Sequence, residues 1–328
     1  MHRPGMFWIH PNFNLVDMTL TLSQNWQLVS HGCTSVSISI ATAYDTLGEE
    51  GLTYSLNEPE CVGVFTNAEL LPTLLRVLSN APTIKLVVYD GEAKPKVLED
   101  LSAVRDTTKV ISLDELRALG RAEPTAGLEG RAPKKEDVAL IMYTSGSTGA
   151  PKGVVITHAN LVASLGAVQV LVGHHWQEDD TYIAYLPLAH VLEFIVELIF
   201  FYVGMPIGYG RVKTLTDASV RNCKGDICAL RPSIMVGVPA VWETIRKGIL
   251  AKVNAGGSLK KTLFNGAVSA KKNNIPVLAQ LADKIVLSGV RAATGGRLRI
   301  AVSGGAALSR ETQEFLSTAL VTVVQGWC

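Results

Sequence analysis

One stretch of the chain fixes the interpretation of the rest, and it reads VALIMYTSGSTGAPKG at residues 138–153. Its first six residues form an apolar run with the length and composition of a buried strand. The eleven residues from Tyr143 to Gly153 carry three glycines, four hydroxyl-bearing Ser and Thr residues and one lysine. Glycines let backbone N–H groups turn toward an anion, and the hydroxyl groups and Lys152 add donors and positive charge. The stretch therefore predicts a polyphosphate-binding loop directly after a strand.

The residue order around Lys152 separates this loop from two other phosphate-binding patterns. A Walker A loop requires G-x-x-x-x-G-K-[ST], whereas here Pro151 precedes Lys152 and Gly153 follows it. The segment also lacks the G-x-G-x-x-G spacing of a dinucleotide site. The order therefore excludes a P-loop kinase or GTPase and a dinucleotide-binding loop, and a plain surface turn is the remaining alternative for such a composition.

On both sides of the loop, apolar segments of strand length alternate with segments whose apolar residues recur at helical spacing. The patterns predict strands at 37–40, 61–65, 84–89, 138–143, 181–185, 234–238 and 298–302. They predict helices at 68–78, 158–172, 193–201 and 242–253, a helix start at 56–60, and a surface connection at 117–136. Such alternation predicts an α/β protein with parallel sheets and helices on both faces.

A length of 328 residues favours about two domains. Residues 1–22 show no clean period and are predicted to be an irregular leader. A first α/β subdomain is predicted at 23–176, ending with the phosphate loop and its helix. A second is predicted at 177–328.

Charge and cysteine content limit the classes of function. The chain has 30 Lys plus Arg against 29 Asp plus Glu, which argues against a strongly basic nucleic-acid surface. The five cysteines are odd in number, and four residues separate Cys223 from Cys228, wider than a zinc-binding C-x-x-C pair. Reduced thiols in a cytosolic compartment are therefore expected.

Membrane insertion is not predicted from the sequence. Residues 7–9 run into His10 and Pro11 without forming the apolar core of a signal peptide. The most apolar stretch, 191–209, is interrupted by Glu193 and Glu197, and the remainder is too short to cross about 30 Å of hydrocarbon. A buried helix and strand are expected there, and peripheral membrane contact stays compatible with the pattern.

Several motifs, taken together, resemble one enzyme family. The string Y-T-S-G-S-T-G-A-P-K-G at 143–153 is similar to the phosphate loop of the adenylate-forming superfamily, which includes acyl-CoA synthetases, luciferases and peptide-synthetase adenylation domains. Y-L-P-L-A-H-V-L-E at 185–193 and S-G-G-A-A-L-S at 303–309 resemble segments of long-chain acyl-CoA synthetases, with Ala307 in place of a proline. Residues 43–48 and 51–52 resemble the fungal-type form. The resemblance spans roughly residues 23–326.

The resemblance implies a fold and a reaction. The fold would be α/β, with two packed, doubly wound subdomains of the large N-terminal AMP-binding domain, incomplete and without the small C-terminal lid. The reaction would be ATP-dependent activation of a long-chain fatty acid to acyl-adenylate and then acyl-CoA. ATP, Mg²⁺ and CoA would be the cofactor, metal and co-substrate. The location would be cytoplasmic, or peripheral on endoplasmic reticulum, lipid droplet or peroxisome membrane.

Family analogy assigns the phosphate side of the site. The residues that would wrap the phosphates are Thr144, Ser145, Gly146, Ser147, Thr148 and Gly149. Thr144 would also lie next to the magnesium ion, and Lys152 would neutralise the departing pyrophosphate. His190 would lie near the reacting carboxylate. For Glu193, a carboxylate that stabilises a helix N-terminus is an equal explanation.

The adenine side is assigned in the same way. The expected wall consists of Gly304, Gly305, Ala306, Gln325, Gly326 and Trp327, the last replacing a family aromatic residue that stacks on adenine. A tight turn capped by Ser309 is the competing explanation for the glycines. Trp242 would flank the acyl tunnel or simply pack in the core.

The family's later residues have no counterpart before Cys328. These are a Thr-Glu pair with a magnesium-binding Glu, an Asp for the ribose, and a C-terminal domain with a catalytic Lys. Little ligase activity is therefore expected, and a sheet ending near Val324 would favour aggregation. Two alternatives stay open, a non-catalytic nucleotide-binding remnant and a ligase for a different carboxylic acid.

Overall fold

The computed structural model describes residues 15–19, 23–43, 48–122, 128–144, 151–273 and 286–326. The chain divides into two compact units. The first ends at Ala167 and also includes Pro187–His190, and the second comprises the remainder from Val168 onward. The subdomain boundary predicted from the sequence, at residue 176, stays a prediction.

The first unit alternates strands and helices. Its elements are β1 Leu15–Thr19, α1 Gln24–Thr34, β2 Ser39–Ala43, α2 Gly48–Asn57, β3 Gly63–Asn67, α3 Leu71–Leu78, β4 Leu86–Asp90, α4 Pro95–Val104, β5 Lys109–Ser112, α5 Leu113–Ala122, β6 Val138–Thr144 and β7 Lys152–Thr157. The next helix, α6 His158–Val172, begins in this unit and continues past its last residue, Ala167.

Seven strands of the first unit form one sheet in the order β5-β4-β3-β1-β2-β6-β7. All neighbouring pairs are parallel except β6 and β7, which form an antiparallel hairpin. The strands β2 and β3 are largely buried, as expected for a parallel sheet covered by helices. Leu74 and Leu78 of α3 pack against this core at helical spacing.

The second unit repeats the alternation. Its elements are β8 Tyr182–Ala184, α7 Val191–Val203, β9 Ile207–Tyr209, α8 Asp226–Leu230, β10 Ile234–Gly237, α9 Pro239–Ala255, α10 Gly257–Lys272, α11 Ser288–Ala292, β11 Ile300–Ser303, α12 Arg310–Ala319 and β12 Val323–Gln325. Its five strands are parallel, in the order β12-β11-β10-β8-β9.

The predicted α/β class with parallel sheets is confirmed, and the bounds of α6 agree with the prediction. Four local predictions are wrong. Leu15–Thr19 is a strand between β2 and β3 rather than part of an irregular leader, and residues 56–57 end α2 rather than start a helix. Residues 117–122 are helical within α5, and β7 follows the phosphate loop where no strand was predicted.

Candidate nucleotide-binding site

The ends of the predicted phosphate loop are held together by the β6–β7 hairpin. Thr144 and Lys152 are directly paired residues of the two strands, and the Thr144 hydroxyl donates to the Lys152 carbonyl oxygen at 3.4 Å. Directly opposed residues of an antiparallel pair share a face, so the hydroxyl and the ammonium group project on the same side of the sheet. Both residues are exposed. The hairpin thus presents a hydroxyl and a cation at the two ends of the loop.

The other predicted phosphate ligands, Ser145, Gly146, Ser147, Thr148 and Gly149, lie outside the described residues. The structure therefore brings together two members of the predicted set. Their contacts with ATP stay a prediction.

Gly153 is required by packing as well as by the motif. A Cβ at this position would stand 2.9 Å from Ile141 Cγ2 and 3.4 Å from Glu58 Oε2. Glu58 accepts a hydrogen bond from the Tyr143 hydroxyl, and Tyr54 stacks edge-on against the Tyr143 ring with centroids 6.1 Å apart. The end of β6 is thus held in place by Tyr54 of α2 and by Glu58, which directly follows α2.

Glu58, which supports the end of β6, is a residue that no sequence pattern indicated. It lies 85 residues before Tyr143, so no local spacing links the two. Glu58 stands directly before Pro59, and a carboxylate at that position gave no local signal of a contact with Tyr143.

The predicted adenine wall lies where three parallel strands of the second unit end. The Gly304 N–H donates to the Gly237 carbonyl oxygen at 3.1 Å, and the Gly326 N–H donates to the Ser303 carbonyl oxygen at 2.9 Å. The carboxyl ends of β10, β11 and β12 are therefore joined by backbone bonds. Ligands of open α/β sheets bind outside such strand ends.

Gly304 and Gly305 occupy positions where a larger residue would clash or be strained. A Cβ on Gly304 would lie 3.0 Å from Leu192 Cδ2, and Gly305 has a φ of +77° that L side chains rarely adopt. Ser309 caps α12 by accepting from the Thr312 N–H at 3.3 Å. The tight capped turn is confirmed, while Gly305 and Ala306 are exposed and accessible.

Gln325 is engaged within its own unit. Its Oε1 accepts from the Leu308 N–H at 3.3 Å, and its Nε2 donates to Gln313 Oε1 at 2.6 Å. The side chain therefore ties β12 to α12 and to the turn after β11. Gly326 is exposed, and Trp327 lies outside the described residues.

His190 belongs to the short segment Pro187–His190. Its N–H donates to the Pro187 carbonyl oxygen at 3.0 Å, and the neighbouring Ala189 carbonyl oxygen accepts from the buried Thr42 hydroxyl at 3.4 Å. Partial burial lowers the pKa of His190 below its usual value. The imidazole is therefore neutral near pH 7 and can donate one hydrogen bond and accept another.

Glu193 lies in the first turn of α7 and is fully buried. Its two carboxyl oxygens accept from the Tyr182 hydroxyl at 3.0 and 2.8 Å, and it also accepts from the Tyr185 N–H. Burial, and then the charge of Glu197, raise the pKa of Glu193 well above its usual range. Through these hydrogen bonds Glu193 anchors β8 and Tyr185 to α7.

Two polar groups meet at Gly237 without hydrogen-bond partners among the described residues. They are the Tyr185 hydroxyl and the Trp242 indole Nε1, and both side chains are buried. A Cβ on Gly237 would stand 2.8 Å from the former and 3.0 Å from the latter. The core-packing interpretation of Trp242 is confirmed, and tunnel lining stays a prediction.

The described part of the chain shows no metal-ligand cluster, no membrane-spanning helix and no disulfide between its cysteines. Its His, Cys, Asp and Glu residues form no group of three or more that could hold a metal ion. None of its helices has the length and apolar character needed to cross a bilayer. Cys33, Cys61, Cys223 and Cys228 form no disulfide with one another.

The fold and the motif-bearing strand ends are those of an adenylate-forming domain. The chain belongs to the AMP-binding enzyme family, whose profile matches residues 18–328.

Among curated relatives, the chain is 43% identical over 309 residues to long-chain-fatty-acid–CoA ligase 2 of Schizosaccharomyces pombe, covering 93% of this chain and 44% of that protein. It is 42% identical over 323 residues to long-chain-fatty-acid–CoA ligase 4 of Saccharomyces cerevisiae, covering 93% and 46%. The chain thus spans a little under half the length of these relatives.

Solved structures support the fold. The A-PCP didomain of carboxylic acid reductase from Segniliparus rugosus, in complex with AMP, superposes with a TM-score of 0.75 at 20% identity, covering 96% of this chain and 42% of that one. The adenylation domain of a carboxylate reductase from Mycobacterium chelonae gives a TM-score of 0.73 at 22% identity, covering 96% and 47%.

Proposed function

We propose that this chain carries the ATP- and acid-binding part of a long-chain fatty acid–CoA ligase. The observation that carries the proposal is the phosphate-loop sequence at 143–153, mounted on a hairpin that pairs Thr144 with Lys152. The names of relatives at 42–43% identity supply the substrate class.

In the first half-reaction, the fatty acid carboxylate attacks the α-phosphorus of ATP and pyrophosphate leaves. The catalytic demand is positioning and neutralisation of charge on the leaving group. Lys152, exposed at one end of the loop, would supply the positive charge. The hydroxyls and backbone N–H groups of residues 144–149 would bind the phosphate oxygens.

Magnesium fits this site as an ion held mainly by the nucleotide. Mg²⁺ commonly binds through substrate phosphates with few protein ligands, and the described residues contain no dedicated carboxylate cluster. The exposed Thr144 hydroxyl is the protein ligand we assign. When bound, the ion would neutralise charge on the phosphates.

The acid would lie on the His190 side and the adenine beside Gly304, Gly305, Ala306 and Gly326. A neutral His190 could orient the carboxylate by a hydrogen bond without forming an ion pair. CoA would then accept the acyl group from the adenylate.

An exchange assay tests the proposal. The 328-residue chain is incubated with ATP, palmitate and labelled pyrophosphate, next to Lys152→Ala and, as a matched control, Lys135→Ala, an exposed lysine before β6. We expect weak palmitate-dependent exchange because the chain spans less than half the length of its relatives. Lys152→Ala should abolish the exchange and Lys135→Ala should not.

Two alternatives have their own outcomes. ATP binding that depends on Lys152, without exchange with any acid, would favour a non-catalytic nucleotide-binding remnant. Tighter calorimetric binding of an aromatic acid than of palmitate would favour a ligase for a different acid.

We also propose a cytoplasmic location with peripheral contact to an endoplasmic reticulum, lipid droplet or peroxisome membrane, where long-chain acids reside.

A further inference from the structure

Positive charge is segregated in one part of a nearly neutral chain. Residues 244–273 contain seven basic side chains and no acidic one, whereas the whole chain has 30 basic and 29 acidic residues. The seven are Arg246, Lys247, Lys252, Lys260, Lys261, Lys271 and Lys272. This stretch forms most of α9 and all of α10.

The charge at the start of α10 is not neutralised within the described structure. Lys260 and Lys261 are exposed and form no ion pair with a described residue. Toward the other end of α10, Lys272 lies 3.3 Å from Glu314, and on α9 Arg246 lies 3.7 Å from Glu243. The first turns of α10 therefore carry two adjacent exposed lysines without an ion pair to a described residue.

Two large apolar side chains are exposed in the same turns. Leu259 is 74% exposed and Leu263 is 54% exposed. They are four residues apart, so they lie on the same side of the helix. Phe264 and Ala267 face the interior and hold α10 in place. The α10 surface, defined as Leu259, Lys260, Lys261 and Leu263, thus combines exposed leucines with uncompensated lysines.

We propose that the α10 surface binds an anionic lipid bilayer. Lysines near anionic headgroups and apolar side chains at the acyl boundary are the two contributions that hold amphipathic helices on membranes. A nucleic acid would use the lysines but would gain nothing from covering the leucines. The inference rests on the peripheral membrane contact proposed above and assigns it a place in the fold.

Another exposed apolar pair provides an internal contrast. Val170 and Leu171 of α6 are 80% and 70% exposed, but α6 contains no Lys or Arg. Apolar exposure without charge is not expected to select anionic lipid. The pair therefore serves as a control for the leucines of α10.

The test is co-sedimentation of the 328-residue chain with vesicles of phosphatidylcholine alone or with about 30% phosphatidylserine, at low and high salt. We expect binding to the anionic vesicles that weakens at high salt. Lys260→Gln/Lys261→Gln should lower the partition coefficient about 30-fold, at about fivefold for each lysine. Leu259→Ser/Leu263→Ser should also weaken binding.

Two control variants keep the outcome specific. Lys134→Gln/Lys135→Gln removes another adjacent exposed pair of lysines, and Val170→Ser/Leu171→Ser removes the other apolar pair. Both should bind vesicles like the wild-type chain, with circular dichroism confirming that each variant is folded.

The proposal is overturned by no binding of the wild-type chain to anionic vesicles, by equal binding to neutral ones, or by a loss in the control variants equal to that in the α10 variants. Binding of the α10 surface to RNA but not to vesicles would also overturn it. Lys152→Ala separates this proposal from the ligase proposal, because it should abolish exchange and leave vesicle binding unchanged.

Discussion

The β6–β7 hairpin and the Glu193 cluster, defined as Glu193 and Tyr182, use polar side chains in opposite ways. In the hairpin, Thr144 and Lys152 are exposed, so they cost the fold little and stay available to a ligand. In the cluster, Glu193 and Tyr182 are fully buried and satisfy one another. Exposed polar groups at strand ends are therefore candidates for binding, whereas the buried ones hold the second unit together.

Removal of the Glu193 carboxyl should have the largest effect on stability. Glu193→Ala leaves a cavity and removes the acceptor of the Tyr182 hydroxyl and the Tyr185 N–H, so we expect a loss of about 3 kcal/mol in the free energy of unfolding. Near pH 4, where burial of the wild-type carboxyl carries no ionisation penalty, Glu193→Gln keeps the shape and one acceptor, and should cost about 1 kcal/mol. Urea unfolding followed by circular dichroism measures both, and equal losses would contradict the role of the hydrogen bonds.

The second-largest effect on stability should come from a methyl group added behind the loop. Gly153→Ala places a Cβ 2.9 Å from Ile141 Cγ2, which should cost about 2 kcal/mol. Gly166→Ala is the matched control, because nothing lies within 4 Å of its Cβ and the residue is inside α6. That control should stabilise the chain by about 0.5–1 kcal/mol. A neutral Gly153→Ala would show that the hairpin adjusts freely.

The pH dependence of stability should distinguish the buried acid. Folding raises the pKa of Glu193 above its unfolded value of about 4.3, because burial and Glu197 disfavour the carboxylate. The unfolded chain therefore loses this proton first as the pH rises. Its contribution to stability is present below about pH 4.3 and falls by about 1.4 kcal/mol per pH unit above that, until the folded pKa is reached.

Glu193→Gln has no proton to lose at this position. Its free energy of unfolding relative to wild type should rise as the pH increases above about 4.3, measured in urea at each pH. Asp180 does not produce this effect. Burial raises its pKa, but hydrogen bonds from Arg299 and Ser233 lower it more, so its contribution is lost only toward acid pH. A constant difference across this pH range would mean that Glu193 is ionised in the fold.

The smallest effect on stability should come from the predicted catalytic lysine. Lys152→Ala should change the free energy of unfolding by less than about 0.5 kcal/mol, because the side chain is exposed. It should nevertheless weaken ATP binding by about tenfold or more in calorimetry. Lys152→Arg keeps the charge and should lose less. A large stability loss with unchanged ATP binding would reverse the contrast between hairpin and cluster.

Sequence patterns predicted the elements whose evidence is local. The start of β6 followed from an unbroken apolar run, and α6 has the bounds that were predicted for it. β1 was missed because Leu15–Thr19 contains Asp17 in a short segment without a clear period, and its strand character comes from its neighbours β2 and β3. β7 was missed because its strand character comes from its pairing with β6 across the loop.

The candidate site shows the same limit. The motif named Thr144 and Lys152 but did not show that they are paired across a hairpin. Glu58 and the contact between Gly304 and Leu192 join residues far apart in the chain, which no spacing rule connects. Gln325 matched a motif, yet its side chain is already bonded to Leu308 and Gln313.

The pairing of Thr144 with Lys152 also makes the loop sensitive to strand register. Because side chains alternate between faces, insertion or deletion of one residue between Lys152 and Thr157, with the rest of β7 kept in register, would turn the Lys152 side chain to the opposite face. The hydroxyl and the ammonium group would then no longer project together, although the composition of the loop would be unchanged. The binding surface is thus encoded in the count of residues along β6 and β7 as much as in their identity.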